Sequence, residues 1–369
     1  MKILVLNYRD ITHPMAGGAE VHLHRIFGKL VELGHSVMLF TTMHEGASER
    51  DLIDGIEIIR FGGDLLFPLN CIRRVPKLIK EFEPDIVYED LNKLPLFSPY
   101  ITKGPKLIQI LHLWKSSIFK EASFPAAFGV WLGEKIIPLV YGDCYFSTIS
   151  PSGKRELTEL GIEDGRISVI YCGTKSEYLE VEKVRDKSPY FLWVGRFRKY
   201  KGVWVALKAF KIFSKKHPDA KLIFAGSGPE EAKMRAKAKS WGLKDKVEFL
   251  GVISEEKKIE LMSKAMGILQ TSFKEGWGLT VIEAGACGTT SVASNVSGLC
   301  DSVKGGETGL LFKAGSAKDC ARKMETLYES PALRGCLESA AKSYAGSFSW
   351  ETAAKETLFL MQCIIEQES

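Results

Sequence analysis

Two glutamates eight positions apart, Glu275 and Glu283, flank the glycine-rich run in Glu275-Gly276-Trp277-Gly278-Leu279-Thr280-Val281-Ile282-Glu283. With Leu279–Ala286 as a helix, the amides of Gly278, Leu279 and Thr280 point at an anion and Glu283 sits one turn in. Glu275, on the loop, is then placed to accept sugar hydroxyls or to face developing positive charge. A solvated acid beside an ordinary first-turn glutamate would look the same. A second loop, Gly195-Arg196-Phe197-Arg198-Lys199-Tyr200-Lys201-Gly202, carries four cations between a strand and a helix. Arg196 by bidentate contact and Lys201 as a point charge suit a diphosphate, although a solvated basic loop reads no differently. In Ala225-Gly226-Ser227-Gly228-Pro229-Glu230-Glu231, Gly226 and Gly228 allow close backbone approach to a base or phosphates, with Pro229 expected at the first helical position. A plain strand-to-helix turn explains that loop equally well.

The amino-terminal half offers less. Its first loop, Tyr8–Glu20, ends in Gly17-Gly18-Ala19-Glu20 at a helix start, where amides can meet an anion; Glu20 can equally complement the helix dipole. This is no dinucleotide fingerprint, because the G-x-G-x-x-G spacing is missing and Thr41-Thr42 ends the second strand where a ribose-binding acid would stand. His112 follows the apolar strand Leu107–Leu111, although a buried structural imidazole is the commoner fate of such a residue. His22 and His24, two apart on a helix, face different ways and make no metal pair.

Alternating strand and helix signals place these loops after parallel strands, where doubly wound sheets bind ligands. In the first half, strands are expected at Lys2–Asn7, His35–Thr42, Glu57–Phe61, Asp85–Tyr88, Leu107–Leu111, Tyr145–Ile149 and Ile167–Tyr171, with a helix over Ala19–Leu33. A polar, proline-terminated stretch then reads as an interdomain linker. The alternation restarts with strands at Tyr190–Val194, Lys221–Ala225, Lys246–Leu250, Gly267–Gln270 and Thr290–Ala293, and a helix over Lys201–Lys216. Ser349–Gln367 forms a last amphipathic helix.

The 369 residues fit two domains at roughly 100–200 residues each. A net charge of +5 suits an anionic ligand and is too small to argue for nucleic acid. Eight scattered cysteines without a C-x-x-C pair read as reduced thiols of a cytoplasmic protein, neither a disulfide framework nor a zinc site. The apolar start is too short for a signal peptide, and no run reaches the roughly 18 residues a membrane span needs. The basic segment Cys71–Phe82, with some support from Phe119–Trp131, admits peripheral contact with the cytosolic face of a membrane; an ordinary surface helix of the amino-terminal domain is the commoner case, and Pro76 counts against an amphipathic membrane helix there.

Taken together, these residues resemble glycosyltransferase family 4, the retaining enzymes of GT-B fold. The resemblance runs in order through Gly17-Gly18-x-Glu20, His112, Gly195-Arg196 with Lys201-Gly202, Gly226-x-Gly228, the Glu275–Ala284 block and Phe348-Ser349-Trp350. It implies two doubly wound Rossmann-like α/β domains facing across a cleft. Residues 1–174, with the returning helix 349–369, would bind the acceptor; 175–188 would be the linker; and 189–348 would bind the nucleotide sugar. By the same resemblance, Arg196 and Lys201 hold the donor diphosphate with the amides of Gly278 and Leu279. Glu283 binds the ribose, Glu275 the transferred sugar, and His112 lines the sugar's reactive face. The Gly17-Gly18 loop closes over the phosphates, and Arg9, Asp10 and His13 face the acceptor. No metal or separate cofactor is implied; the co-substrate is a nucleotide-diphosphate sugar, UDP- or GDP-linked, and the acceptor a glycan, a lipid-linked sugar or a small molecule. Departures at Thr289-Thr290, Ser297–Asp301 and Cys172-Gly173-Thr174 border the nucleotide and leave the donor open. A nucleotide-sugar epimerase of the same fold, or a non-catalytic nucleotide-sugar-binding partner subunit, are the alternatives.

Overall fold

The computed structural model describes residues 1–92, 94–184, 186 and 188–368. It divides into two compact units, Met1–Gly173 with Ser349–Ser369, and Thr174–Phe348.

The first unit alternates β1 (Lys2–Leu6), α1 (Gly18–Glu32), β2 (Ser36–Thr41), β3 (Arg50–Ile53), β4 (Ile56–Arg60), α2 (Phe67–Phe82) and β5 (Ile86–Asp90). It continues with α3 (Ser98–Ile101), β6 (Lys106–Gln109), α4 (Phe124–Lys135), α5 (Ile137–Tyr141), β7 (Tyr145–Thr148), α6 (Pro151–Leu160) and β8 (Ile167–Val169). The strands form one sheet in the order β3-β4-β2-β1-β5-β6-β7-β8. Only β3 runs antiparallel, against β4. Val5 faces Leu39 on one side and Tyr88 on the other, so β1 is central: the chain first steps outward through β2 on one side, then returns to β5 on the other. That reversal opens a crevice at the carboxyl ends of β1 and β5, where doubly wound sheets bind ligands. β3 has no counterpart among the expected strands. Its hairpin turn is Asp54-Gly55, both at positive φ (52° and 74°), as a two-residue turn of this hand requires.

The second unit runs α7 (Ser176–Glu180), β9 (Tyr190–Val194), α8 (Val203–Phe213), β10 (Lys221–Ala225), α9 (Glu231–Ser240), β11 (Val247–Phe249), α10 (Glu255–Lys264) and β12 (Gly267–Gln270). After these come α11 (Leu279–Ala286), β13 (Ser291–Ser294), α12 (Leu299–Ser302), β14 (Gly309–Phe312), α13 (Ala317–Glu329) and α14 (Pro331–Gly346). All six strands are parallel, in the order β11-β10-β9-β12-β13-β14. Both faces of such a sheet are covered, which is why the strands read as short continuous apolar runs such as YFLWV.

Two expectations need correction. The expected linker 175–188 includes Arg185 and Lys187, which lie outside the described residues. Its first part belongs to the second unit: α7 buries Tyr178, whose hydroxyl donates to Glu255 Oε1 at 2.7 Å. The polar composition conceals a docked turn, because the one buried side chain is an aromatic with a polar tip. Pro76 does not interrupt α2, which runs unbroken through it.

The final helix, α15 (Trp350–Glu368), belongs to the first unit and packs on α1. Trp350 is buried edge-on against His22, with ring centroids 5.9 Å apart. Burial holds the His22 imidazole down at a pKa of about 4, so it is a neutral core residue. The backbone beside Trp350 leaves no room at Gly173, where a Cβ would lie 2.0 Å from the Trp350 nitrogen. Gly173→Ala should therefore destabilise the first unit by about 1–3 kcal/mol, as overpacking does. Urea denaturation followed by circular dichroism measures this; an unchanged midpoint would show that the contact yields.

Candidate functional site

In the second unit, the loops after β9, β10 and β12 meet backbone to backbone. Gly202 has φ +66°, and a Cβ there would lie 1.8 Å from the carbonyl oxygen of Thr271. Thr271 Oγ1 donates to the Gly202 carbonyl at 2.9 Å, and the Phe273 amide donates to the Tyr200 carbonyl at 2.7 Å. These contacts fasten the cationic loop to the one carrying Glu275. Lys201 Nζ accordingly reaches Glu275 Oε1 at 2.7 Å. The same oxygen accepts Gln270 Nε2 at 2.9 Å and Ser272 Oγ at 2.7 Å. Burial works against the charge of Lys201, but the Glu275 carboxylate outweighs it and raises the pKa above the usual lysine value. The lysine is thus a fixed cation at neutral pH. Arg196 is exposed on the same loop, near enough for its charge to oppose that of Lys201.

Gly278 caps α11 at φ +100°, and Leu279 and Thr280 occupy the first helical turn, ahead of the hydrogen-bond ladder. A Cβ on Gly298 would lie 2.5 Å from the Glu275 carbonyl. The departing Ser297–Asp301 segment therefore buttresses the Glu275 turn through its glycine. Glu283 lies one turn into α11 and is no solvated acid. Its carboxylate meets Lys258 Nζ at 3.1 Å, and Lys258 also reaches Glu255 at 3.3 Å. Glu255 in turn accepts Tyr178 Oη at 2.7 Å and Lys175 Nζ at 3.1 Å. Burial raises the pKa of Glu283, opposed by Lys258. For Glu255, burial is overcome by the Tyr178 hydrogen bond and the two lysines, which bring its pKa down to about 2. Lys258, Glu255 and Tyr178 are not among the expected site residues: the first two stand in the charge-rich run of α10, and Tyr178 falls inside the expected linker.

Gly226 and Gly228 serve neighbouring loops first. A Cβ on Gly226 would lie 1.9 Å from the Gly195 carbonyl, and one on Gly228 would lie 2.8 Å from the Phe197 nitrogen. The Gly195 amide bonds Ala225 and that of Phe197 bonds Ser227, at 3.0 and 2.8 Å. Pro229 precedes α9 by two residues instead of opening it.

In the first unit, Asp10 is committed within the protein. It is wholly buried and accepts Arg60 Nε at 2.7 Å and the Thr12 amide at 2.8 Å, so it ties the β1–α1 loop to β4. Burial is outweighed there by the Arg60 and Thr12 hydrogen bonds, which lower its pKa. The Gly17 amide is likewise committed, donating to Glu20 Oε2 at 2.6 Å at the start of α1. Gly18, one residue on, is exposed. Arg9 pairs with Asp64 at 2.9 Å, while the half-buried His13 accepts the Met15 amide at 3.0 Å. His112 lies three residues beyond β6, half-buried, edge-on to Trp114 at 5.1 Å. Asp90, unmarked in the sequence, ends β5 beside the crevice. It is buried without a hydrogen-bond partner for either oxygen, and burial, reinforced by Glu20 and Glu89, raises its pKa well above the carboxylate range.

Among the described residues, His217, Glu325 and Glu329 come close enough to share a metal ion. They lie past the end of α8 and on α13, at the opposite end of the sheet from Lys201 and Glu275, and Lys216 Nζ already occupies Glu325.

Two Rossmann-like units, each built on a largely parallel sheet, make the fold of the GT-B glycosyltransferases. Residues 16–178 match the model of Glycosyltransferase Family 4, and residues 174–344 that of Glycosyl transferases group 1. The chain belongs to glycosyltransferase family 4. It is 26% identical to a D-inositol 3-phosphate glycosyltransferase of Paenarthrobacter aurescens, over 93% of this chain and 92% of that one. Among solved structures, sucrose-phosphate synthase of Thermosynechococcus elongatus superposes with a TM-score of 0.84 at 21% identity, covering 99% of each chain. Anabaena HepE in complex with UDP-glucose gives 0.78 at 18% identity, over 98% of this chain and 100% of that one.

The acid network predicts opposite pH responses. The raised pKa of Glu283 means that its contribution to stability is present in acid and lost as pH rises through the folded value. Lys258→Met raises that pKa further and should cost about 2 kcal/mol at neutral pH, recovered on acidification. That is below the ~3–5 kcal/mol for a fully buried pair, because the side chains keep 17% and 19% exposure. Glu255 behaves oppositely: its contribution is complete above 4.5 and lost as pH falls towards 2. Denaturation midpoints against pH measure both, and parallel wild-type and Lys258→Met curves would disprove the pairing.

Proposed function

We propose that this glycosyltransferase moves a sugar from a nucleoside-diphosphate sugar, UDP- or GDP-linked, to a hydroxyl acceptor with retention of anomeric configuration and without a metal ion. The observation that carries this reading is the Lys201–Glu275 pair at 2.7 Å, set beside the first turn of α11. It puts a cation for the diphosphate and a carboxylate for sugar hydroxyls on one loop junction. The donor belongs to the second unit and the acceptor to the first, where Arg9, His13 and His112 stand on loops following β1 and β6. UDP is favoured by the likeness to HepE, which was solved with UDP-glucose.

Transfer breaks the bond between the anomeric carbon and the diphosphate and forms one to the acceptor oxygen on the same face. The proton leaves the acceptor hydroxyl for the departing phosphate. The transition state is oxocarbenium-like, so charge gathers on the leaving group. Arg196, Lys201 and the amides of Leu279 and Thr280 meet that charge, and their positions are set before substrate arrives. Glu283 accepts the ribose hydroxyls; Lys258 opposes the rise that burial imposes on its pKa.

Calorimetry with UDP, GDP, ADP and their sugar conjugates tests the reading. One nucleotide should bind, with affinity lost in Glu283→Ala; binding to none would defeat it. With the donor identified, Arg196→Ala and Lys201→Ala should each lower kcat by about 10²–10³, or ~2.7–4 kcal/mol of transition-state stabilisation. Near-normal turnover would remove them from the mechanism, and 2-epimer formation without an acceptor would reassign the reaction.

A further inference from the structure

We propose that the first unit docks on an anionic lipid bilayer through the face that carries α2 and α4. The helix α4 has the sequence FPAAFGVWLGEK, apolar on every side, and buries only Ala127, Gly133 and Glu134. Phe124 is left 71% exposed, and Phe128 and Leu132 45% each. Phe119, Phe124, Phe128 and Trp131 form a continuous ridge of rings, with successive centroids 5.8, 6.2 and 5.9 Å apart. Leu139, on the following helix α5, is 83% exposed. The only carboxylate of α4, Glu134, turns inward to accept the amides of Trp114 and Lys115. No negative charge of α4 therefore opposes an anionic surface.

The second helix supplies the charge. Leu65 and Leu66, which precede α2, and Leu69 and Ile72 on it are exposed at helical spacing, while Arg73, Arg74, Lys77 and Lys80 stand exposed alongside. The two helices are neighbours through the segment before α3. Leu94 packs on the cluster that α2 helps to form, and Gly133 of α4 sits so close that a Cβ would meet Pro95 at 3.1 Å and Leu94 at 3.4 Å. Tyr100, on α3, which packs on α2, is 72% exposed. Aromatic and leucine side chains facing water beside a row of cations match the two layers of a bilayer interface, acyl boundary and anionic headgroup. Apolar exposure on this scale needs a cover. Among the described residues no helix is long and apolar enough to cross a membrane, so the contact is peripheral.

Docking does not depend on the transfer chemistry. Only its consequence, an acceptor presented from the lipid surface, rests on the proposed function.

Vesicle co-sedimentation of the full chain tests the docking. Phosphatidylcholine vesicles containing phosphatidylglycerol should bind it at low salt and release it at high salt, and phosphatidylcholine alone should bind it weakly. Phe124→Ser with Phe128→Ser, and separately Arg73→Glu with Lys77→Glu, should each lower binding at least about tenfold. Thermal midpoints and nucleotide binding should stay at wild-type values, which separates this result from misfolding and from failure of the donor reading. Leu52→Ser, 71% exposed on β3, should bind like wild type. Binding indifferent to phosphatidylglycerol would overturn the proposal. So would no binding at all, or dimerisation in solution that Phe124→Ser with Phe128→Ser abolishes.

Discussion

The approach of Gly202 to the Thr271 carbonyl is the contact on which the site depends. No side chain beyond hydrogen fits between these loops, and φ of +66° at Gly202 excludes an unstrained replacement. Because backbones cannot slide past each other at that distance, the position of Lys201 is set by the second sheet itself. Glu275 inherits the same precision, since its turn is held from the other side by Gly298. A charge pair between flexible side chains on loose loops would contribute little. Here both ends are fixed by main chain, so in the proposed reaction the cation would meet the leaving group without reorganising, which is the condition for electrostatic stabilisation.

The two glutamates of one motif are given opposite electrostatic settings. Glu275 Oε1 gathers three donors within 2.9 Å, from a lysine, an amide and a hydroxyl. Glu283 shares a single lysine with Glu255, and burial raises its pKa. A ribose that hydrogen-bonds Glu283 would meet a carboxylate short of partners, and binding would relieve the cost of burying it. In the proposed reaction this makes Glu283 a group for affinity and Lys201 a group for rate.

Much of this was legible in the sequence, for identifiable reasons. Fully buried parallel strands leave unbroken apolar runs, so Tyr190–Val194, Lys221–Ala225 and Gly267–Gln270 are readable to the residue. The loops Gly195–Gly202 and Glu275–Glu283 stand out because glycine and charge coincide after strands. What escapes are partners supplied from far along the chain. Arg60 is 50 residues from Asp10, and Tyr178 is 77 from Glu255. Neither pairing leaves a local pattern. Glycine also misleads in a consistent way: Gly226 and Gly228 look like ligand contacts, yet a neighbouring loop already requires them.

The first unit shows why its loops are harder to read than those of the second. Much of the polarity after β1 is consumed internally: Asp10 by Arg60, Arg9 by Asp64, the Gly17 amide by Glu20. An Asp10–Arg60 pair with both side chains fully buried is worth retaining only if the loop must hold one shape, since apolar residues of equal volume can be as stable. The loop is therefore held in one shape, with Gly18 exposed at its rim. In the proposed reaction, so committed a loop suits an acceptor whose position is already restricted before it arrives. A lipid-anchored acceptor meeting a surface-docked protein would supply that restriction, since confinement to a surface raises effective concentration without adding a contact.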